Sequence, residues 1–322
     1  MDSTHYQNVV KTSVKEMIRG RKIVNGRYSP RYPSSAEREF QRIARQFMRI
    51  LNDTIRPHLP KIIELYRQLH MDEKSRFDAN ALAQRQLDEE FRKIEDELAR
   101  QTERFKLEAK VAKAAAQVQR LSISEWKRIC SQTLGINLLD SYYDGEFYRK
   151  WIDAWIADNV SQIKSIPKKT LDDMHEIIRN GFIEGRPSRE VAKDIQAKYN
   201  ISKRHAQLLA RDQIATLNAQ ITRHQQEDAG ITKYVWSDSR DIAVRECHRA
   251  LNGKTFEWSD PPEMWYRTKS KGIVMTGRKC HPGEDYCCRC VPIPVFDLET
   301  LNLPISTADE ESNSQQIVMA AK

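Results

Sequence analysis

Apolar residues recur every three or four positions along most of this chain, the spacing of an amphipathic helix. The first stripe follows Ser34 and Ser35, whose hydroxyls can accept hydrogen bonds from the free amides at a helix start. Its members are Phe40, Ile43, Phe47, Ile50 and Leu51. Pro57 and Pro60 interrupt the pattern, and a second stripe resumes at Ile62, Ile63, Tyr66 and Leu69. We therefore expect two helices separated by a proline break.

Residues 72–121 contain neither proline nor glycine, which predicts a long amphipathic helix. Its apolar residues follow one stripe with polar residues around it: Leu87, Phe91, Ile94, Leu98 and Phe105. This stripe can pack on its own chain or form a coiled coil with a partner, and heptads this short do not decide between the two.

Cap and breaker residues predict where the later helices begin and end. Ser122 and Glu125 have the spacing of a capping box, so we expect a helix to start there. We expect Asp144 to cap a helix that carries Trp151 and Trp155, and Pro167 to end it or to start the next one. Further on, Ser188 should cap a short helix and Ser202 a long one, which Gly230 ends.

The periodicity changes after Gly230, where short β-like runs alternate with Pro and Gly turns. The candidate strands are Tyr234–Trp236, Thr255–Trp258, Ile273–Met275 and Val291–Phe296. The sequence thus predicts a mainly α protein: a long helical N-terminal and central region with a small C-terminal α+β module rich in Cys and His. The expected divisions are a basic irregular arm (1–33), a helical region (34–121), a helical domain (122–230), the Cys/His module (231–300) and a disordered tail (301–322).

Charge is concentrated near the N-terminus. Residues 1–50 contain eleven Lys and Arg but four Asp and Glu, and so carry most of the net charge of +8. Such an arm suggests an acidic partner, either nucleic acid or an acidic protein surface, or else a solvated, poorly ordered tail. The mean hydropathy is −0.70 and no long apolar run occurs, so we expect no membrane partner and no secretory signal. Synthesis in a reducing compartment follows from this expectation.

Five of the six cysteines lie between residues 247 and 290 (Cys247, Cys280, Cys287, Cys288 and Cys290), together with His248 and His281. In a reducing compartment, clustered cysteines favour metal binding over disulfides, and thiolate with imidazole is the ligand set that zinc prefers. We expect a structural zinc bound by His248, Cys288 and Cys290, with His281 or Cys280 as a fourth ligand. The alternative is a reduced core of buried thiols with one hydrogen-bonded histidine.

A catalytic interpretation is also open. Cys288 and His248 could form a nucleophile and its base, and His248, Asn252 and His281 are residue types found in HNH-like nucleases. No Walker loop, GxSxG or HExxH motif occurs, and we expect no enzyme activity.

Several motifs in residues 140–296 resemble a known family. They are Ala210-Arg-Asp212 before Gly230, Tyr234-x-Trp236, Asp241, Val244-Arg245, His248, Leu251-Asn-Gly-Lys-x-Phe256, His281-Pro-Gly-Glu-Asp285 and Cys288-Arg-Cys290. The chain is similar in these to the phage Mu F-like minor head proteins of tailed phages. The resemblance implies a structural virion protein inside the head near the portal vertex, with the portal and other head proteins as partners. It implies a part in head assembly and in DNA packaging or delivery. The basic arm, which the motifs do not cover, would then touch packaged double-stranded DNA or an acidic portal surface. A metal-dependent nuclease or another DNA-binding protein is the alternative.

Overall fold

The computed structural model describes residues 22–26, 28–71, 78–139, 143, 145–184 and 186–304. In these ranges the helices are α1 (Ser34–Ile55), α2 (Leu59–Met71), α3 (Asp78–Arg104), α4 (Leu107–Leu134), α5 (Glu146–Ile183), α6 (Ser188–Asp228) and α7 (Glu246–Leu251). The strands are β1 (Ile23–Asn25), β2 (Lys233–Ser237), β3 (Thr255–Glu257), β4 (Glu263–Thr268), β5 (Gly272–Lys279) and β6 (Val291–Asp297). The predicted mainly α fold with a small C-terminal α+β module is confirmed. Most of the predicted basic arm (1–21), most of the predicted tail (305–322) and the predicted cap Asp144 lie outside the described residues.

The chain divides into two compact units, each built from segments that are distant in sequence. The helical unit comprises Glu37–Ala114 and Asp153–Gln213, and the sheet unit comprises Met1–Ala36, Ala115–Ile152 and Ile214–Lys322. The predicted division into consecutive segments stays a prediction. Within the described parts of the predicted arm and tail, Ile23–Asn25 form β1, and Leu301 and Leu303 are buried in the core of the sheet unit.

The helical unit buries the apolar stripes that its sequence predicts. Phe40, Ile43, Phe47 and Leu51 of α1 are all at most 2% exposed. The α3 stripe of Leu87, Phe91, Ile94 and Leu98 is also buried, although the helix ends at Arg104 and Lys106 takes a positive φ of 52°. The α3 stripe therefore packs on its own chain, as in the first of the two interpretations above.

Three predicted helix boundaries were wrong, because the helices continue through the residues that resembled caps or breakers. Ser122 lies inside α4, where its hydroxyl donates to Gln225 Oε1 over 3.2 Å in a buried position. Pro167 lies inside α5, and Ser202 is buried inside α6, which begins at Ser188 as predicted but continues to Asp228.

The sheet unit contains a four-stranded antiparallel sheet with the strand order β1-β6-β2-β3. Tyr234 of β2 pairs with Pro294 of β6 and with Phe256 of β3. Strands β4 and β5 form a separate two-stranded ribbon. The four predicted strands are confirmed, whereas β1, β4 and the six-residue α7 were not predicted.

Gly230 ends α6 and turns the chain into the sheet. It has a positive φ of 73°, and a Cβ built there would lie 2.0 Å from the carbonyl oxygen of Thr300. Both the conformation and the close approach require glycine at this position.

A buried carboxylate in the helical unit gives a test of this packing. The Glu90 side chain is 7% exposed and lies 2.6 Å from His58 Nδ1 and 2.8 Å from Lys61 Nζ. The Lys61 hydrogen bond, opposed by burial and aided by His58, lowers the pKa of Glu90 to about 2. A lowered pKa stabilises the fold above the unfolded-state pKa, and this stabilisation disappears as pH falls toward the folded-state value.

We therefore expect Glu90→Gln to lower the free energy of unfolding near neutral pH by about 1–3 kcal/mol. The difference from wild type should shrink as pH falls from about 4.5 toward 2, as measured by denaturant unfolding at several pH values. Glu89→Gln is the matched control, since Glu89 sits beside Glu90 but its side chain is 61% exposed in its pair with Lys93. Equal effects of the two substitutions would contradict this account.

Candidate metal centre

Two segments of the sheet unit bring the candidate ligands together. His248 lies in α7, and Cys288 and Cys290 lie in the loop that leads into β6. Gly283 lies in this loop with a positive φ of 87°, and a Cβ there would lie 2.8 Å from Ala219 Cβ of α6. The absence of a side chain at Gly283 therefore lets the cysteine loop pass close to α6.

The ligand atoms of His248, Cys288 and Cys290 all lie within 4.8 Å of one another. His248 Nδ1 is 3.5 Å from Cys288 Sγ and also 3.5 Å from Cys290 Sγ. The three residues are buried, with 2%, 3% and 4% exposure respectively. The Trp236 ring packs against the imidazole edge-on, with ring centroids 5.4 Å apart. The group is thus enclosed by side chains of the module core.

These distances fit a tetrahedral zinc site. With Zn–S of about 2.3 Å and Zn–N of about 2.0 Å, tetrahedral angles place sulfur and nitrogen ligands roughly 3.5 Å apart. The backbone N–H of Cys290 also points at Cys288 Sγ over 3.4 Å, a contact that favours the thiolate form needed by a metal. The three residues could therefore hold zinc through one imidazole nitrogen and two sulfurs.

Asp285 orients the histidine from its other side. Its Oδ2 is 3.2 Å from His248 Nε2 and 3.2 Å from Arg245 Nη1, and its Oδ1 accepts from Arg278 Nη1 over 2.7 Å. Asp285 is 3% exposed, so this carboxylate is a buried hub for one imidazole and two guanidinium groups. A carboxylate on Nε2 leaves Nδ1 facing the two sulfurs, the arrangement that commonly supports a metal-bound histidine.

The proton distribution in the cluster follows from these contacts. The Cys290 thiol and the imidazolium of His248 hold the pKa of Cys288 well below its usual range, although burial opposes this. Burial alone would lower the pKa of His248, but Asp285 and Cys288 outweigh it and raise that pKa to about 9. The neighbouring Cys288 thiolate and burial raise the pKa of Cys290. Zinc needs deprotonated sulfur and neutral imidazole ligands, so binding zinc here would release protons.

His281, the fourth predicted ligand, does not join this group. Its Nδ1 lies 2.9 Å from the Tyr234 hydroxyl, its ring hydrogen-bonds to the backbone of Trp258, and burial lowers its pKa. Among the described residues the group likewise excludes Cys280, the alternative fourth ligand, and also Cys247 and Cys287. The structure thus brings together three of the four residues expected to bind metal, and the complete ligand set stays a prediction.

Sequence reasoning missed the partners around the ligands, namely Asp285, Arg245, Arg278 and Trp236 in these roles. Asp285 was visible as the last residue of the His281-Pro-Gly-Glu-Asp motif, and Arg245 precedes His248 by three positions. A carboxylate near a candidate histidine ligand is a usable signal, because metal-bound histidines commonly donate their second N–H to such a group.

The family match found by comparison with known proteins covers the part of the chain that contains this cluster. The fold and cluster define a mainly α-helical protein with a small Cys/His module. Residues 172–293 match the family described as phage Mu protein F like protein, which confirms the resemblance over these residues.

An uncharacterized protein of Haemophilus influenzae (strain KW20 / Rd) is 35% identical over 146 residues. The aligned part is 45% of this chain, and the chain spans 30% of that relative's length. No solved structure matches the chain significantly. In the described ranges, no helix combines the length and apolar character that crossing a membrane requires.

The ligand assignment predicts the metal content of the purified protein. We expect about one zinc per chain, measured by elemental analysis, and we expect Cys288→Ser and Cys290→Ser to lose it and to melt at lower temperature. Cys130→Ser is the matched control for zinc content, because Cys130 is also a buried cysteine but belongs to another core cluster of the sheet unit. If the wild-type protein contains no metal, and a chelator leaves its melting temperature unchanged, the cluster consists of ordinary core residues.

The role of Asp285 predicts an effect on affinity. Asp285→Asn should weaken zinc binding by roughly 10–100-fold while saturating zinc still fills the site, because the ligands themselves remain. Competition with a chromophoric chelator measures this directly. Asp260→Asn serves as the control, since Asp260 also pairs with a ribbon cation, Lys279, but its side chain is 73% exposed. An unchanged zinc affinity in Asp285→Asn would contradict the orienting role.

Proposed function

We propose that this chain is a structural minor head protein of a tailed phage, bound near the portal vertex and assisting head assembly and DNA packaging or delivery. The observation that carries the proposal is the family match of residues 172–293. That segment contains His248, Cys288 and Cys290, so the candidate metal centre lies within the part of the chain that the family describes. The portal, other head proteins and packaged DNA are the partners that this function requires.

The burial of the cluster supports a structural role for it. A catalytic zinc must be reachable by water and substrate at an open coordination position. The three ligand residues are at most 4% exposed and are packed in one core with Tyr234, Trp236, Leu251, Trp258 and Met264. Zinc bound here would supply coordinate bonds between α7 and the loop before β6. Those bonds would add folding energy to a module with a small core.

The same burial disfavours the alternative of a metal-dependent nuclease. A phosphodiester must approach the metal and its activated water to be cleaved. His248, which both catalytic interpretations require, is 2% exposed, and Asp285 and the two cysteines occupy both of its ring nitrogens. A plasmid-nicking assay with Mg²⁺, Mn²⁺ or Zn²⁺ should therefore show no activity above that of His248→Ala.

Particles of the phage or prophage that encodes this chain test the proposal. We expect mass spectrometry of purified heads to find the chain at low copy number, and deletion of its gene to reduce the share of DNA-filled heads seen by electron microscopy. Wild-type protein supplied from a plasmid should restore filled heads, which controls for effects on neighbouring genes. Heads that lack the chain and fill normally without it would rule out a virion role.

A further inference from the structure

The β4–β5 ribbon, defined as residues Glu263–Lys279, has an excess of positive charge. It contains five cationic side chains and a single acid, Glu263. The cations are Arg267, Lys269, Lys271, Arg278 and Lys279. Seventeen residues therefore contribute a net charge of +4. Cations of such an element attract an anionic partner where acids elsewhere in the sheet unit do not neutralise them.

The cations of the ribbon fall into two groups. Three of them anchor it to the sheet unit: Arg267 pairs with Glu246 over 2.8 Å, Arg278 with Asp285 over 2.7 Å, and Lys279 with Asp260 over 2.6 Å. Lys269 and Lys271, at the tip, have no ion-pair partner among the residues that the structure describes.

The tip itself is an ordered turn. The backbone N–H of Lys271 donates to Thr268 Oγ1 over 3.0 Å, and Gly272 takes a positive φ of 67°. The two tip lysines are exposed and sit two residues apart on this turn. The ribbon therefore presents a pair of solvated, uncompensated charges at its outermost point.

The ribbon also exposes apolar side chains. Ile273 and Met275 are each 53% exposed, and their spacing of two residues places them on one face of β5. Tyr266, whose cross-strand partner is Val274, is 53% exposed on the opposite face. Each face of the ribbon thus offers apolar surface next to the cationic tip.

We propose that the β4–β5 ribbon binds duplex DNA, with Lys269 and Lys271 on phosphates and the apolar face of Ile273 and Met275 against the groove wall. The major groove of B-DNA admits a two-stranded β-ribbon, and phosphate contacts from lysine supply sequence-independent affinity. The ligand class is duplex DNA of any sequence, which is what a head protein meets in packaged DNA. In that respect the inference rests on the proposed function, while its test uses the purified protein.

Fluorescence anisotropy of the full chain with a short labelled duplex, over about 50–200 mM salt, measures both affinity and its salt dependence. Two lost phosphate contacts reduce the slope of log K against log salt by about 1.8. We therefore expect Lys269→Ala with Lys271→Ala to show this smaller slope and about tenfold weaker binding at the low-salt end. Lys168→Ala with Lys169→Ala is the matched control, since these lysines of α5 are also exposed and adjacent, and this pair should leave both values unchanged.

The apolar face has a separate signature. Ile273→Ser with Met275→Ser should weaken binding without changing the salt slope, because no phosphate contact is lost. Zinc content or circular dichroism shows that each variant is folded. A tip variant that binds with wild-type affinity and slope, or a wild-type chain that fails to bind duplex at about 50 mM salt, would overturn the ribbon proposal.

Different measurements would contradict the head-protein function and DNA binding by the ribbon. Wild-type heads that lack the chain would contradict the head-protein function and leave the anisotropy result standing. A tip variant that loses incorporation into heads but keeps its DNA affinity would show that the ribbon contacts a protein surface, and would overturn DNA binding by the ribbon alone.

Discussion

The Cys/His module of the sheet unit is organised around one imidazole ring. Nδ1 of His248 faces the sulfurs of Cys288 and Cys290, and Nε2 faces the carboxylate of Asp285. These contacts join α7 to the loop before β6, two segments separated by about forty residues of chain. Buried polar groups cost free energy unless they are paired, so each member of the cluster requires the others. A metal satisfies the thiolates and the imidazole together, which is why the donor set favours one.

The same carboxylate connects the cluster to the ribbon. Asp285 accepts from Arg278 of β5 as well as from His248, and Arg278 also lies over the Tyr286 ring with its guanidinium carbon 5.0 Å from the ring centroid. The orientation of the histidine and the root of the β4–β5 ribbon therefore share one anchor. An element fixed at its root can present its tip without a large entropic cost on binding, which is the general advantage of preorganised recognition.

Hydrophobic periodicity predicted the helices well where burial and spacing agree, as in α1 and α3. It failed where polar residues have distant partners. Ser122 resembles a cap in sequence, but its hydroxyl bonds to Gln225, about a hundred residues away, and the helix passes through it. A local sequence pattern does not reveal such a distant contact, because a serine hydroxyl can either cap a helix or bond to another segment of the chain.

The sequence predicted only part of the candidate site, because here too the result depends on tertiary contacts. Residue type and clustering identified His248, Cys288 and Cys290 as candidate ligands, because thiolate and imidazole are the ligand types that zinc prefers. His281 has the same chemistry and lies beside Cys280, yet its nitrogens bond to Tyr234 and to the Trp258 backbone. Which way a ring faces is set by tertiary packing that spacing does not encode. Asp285 was overlooked because a carboxylate is a weak signal until its histidine is known.

X-ray absorption spectroscopy at the zinc edge of the purified full chain tests the central claim most directly. The account predicts a first shell with two sulfurs at about 2.3 Å and at least one nitrogen at about 2.0 Å. A first shell of oxygen and nitrogen alone, or protein that binds no zinc when zinc is supplied, would contradict it.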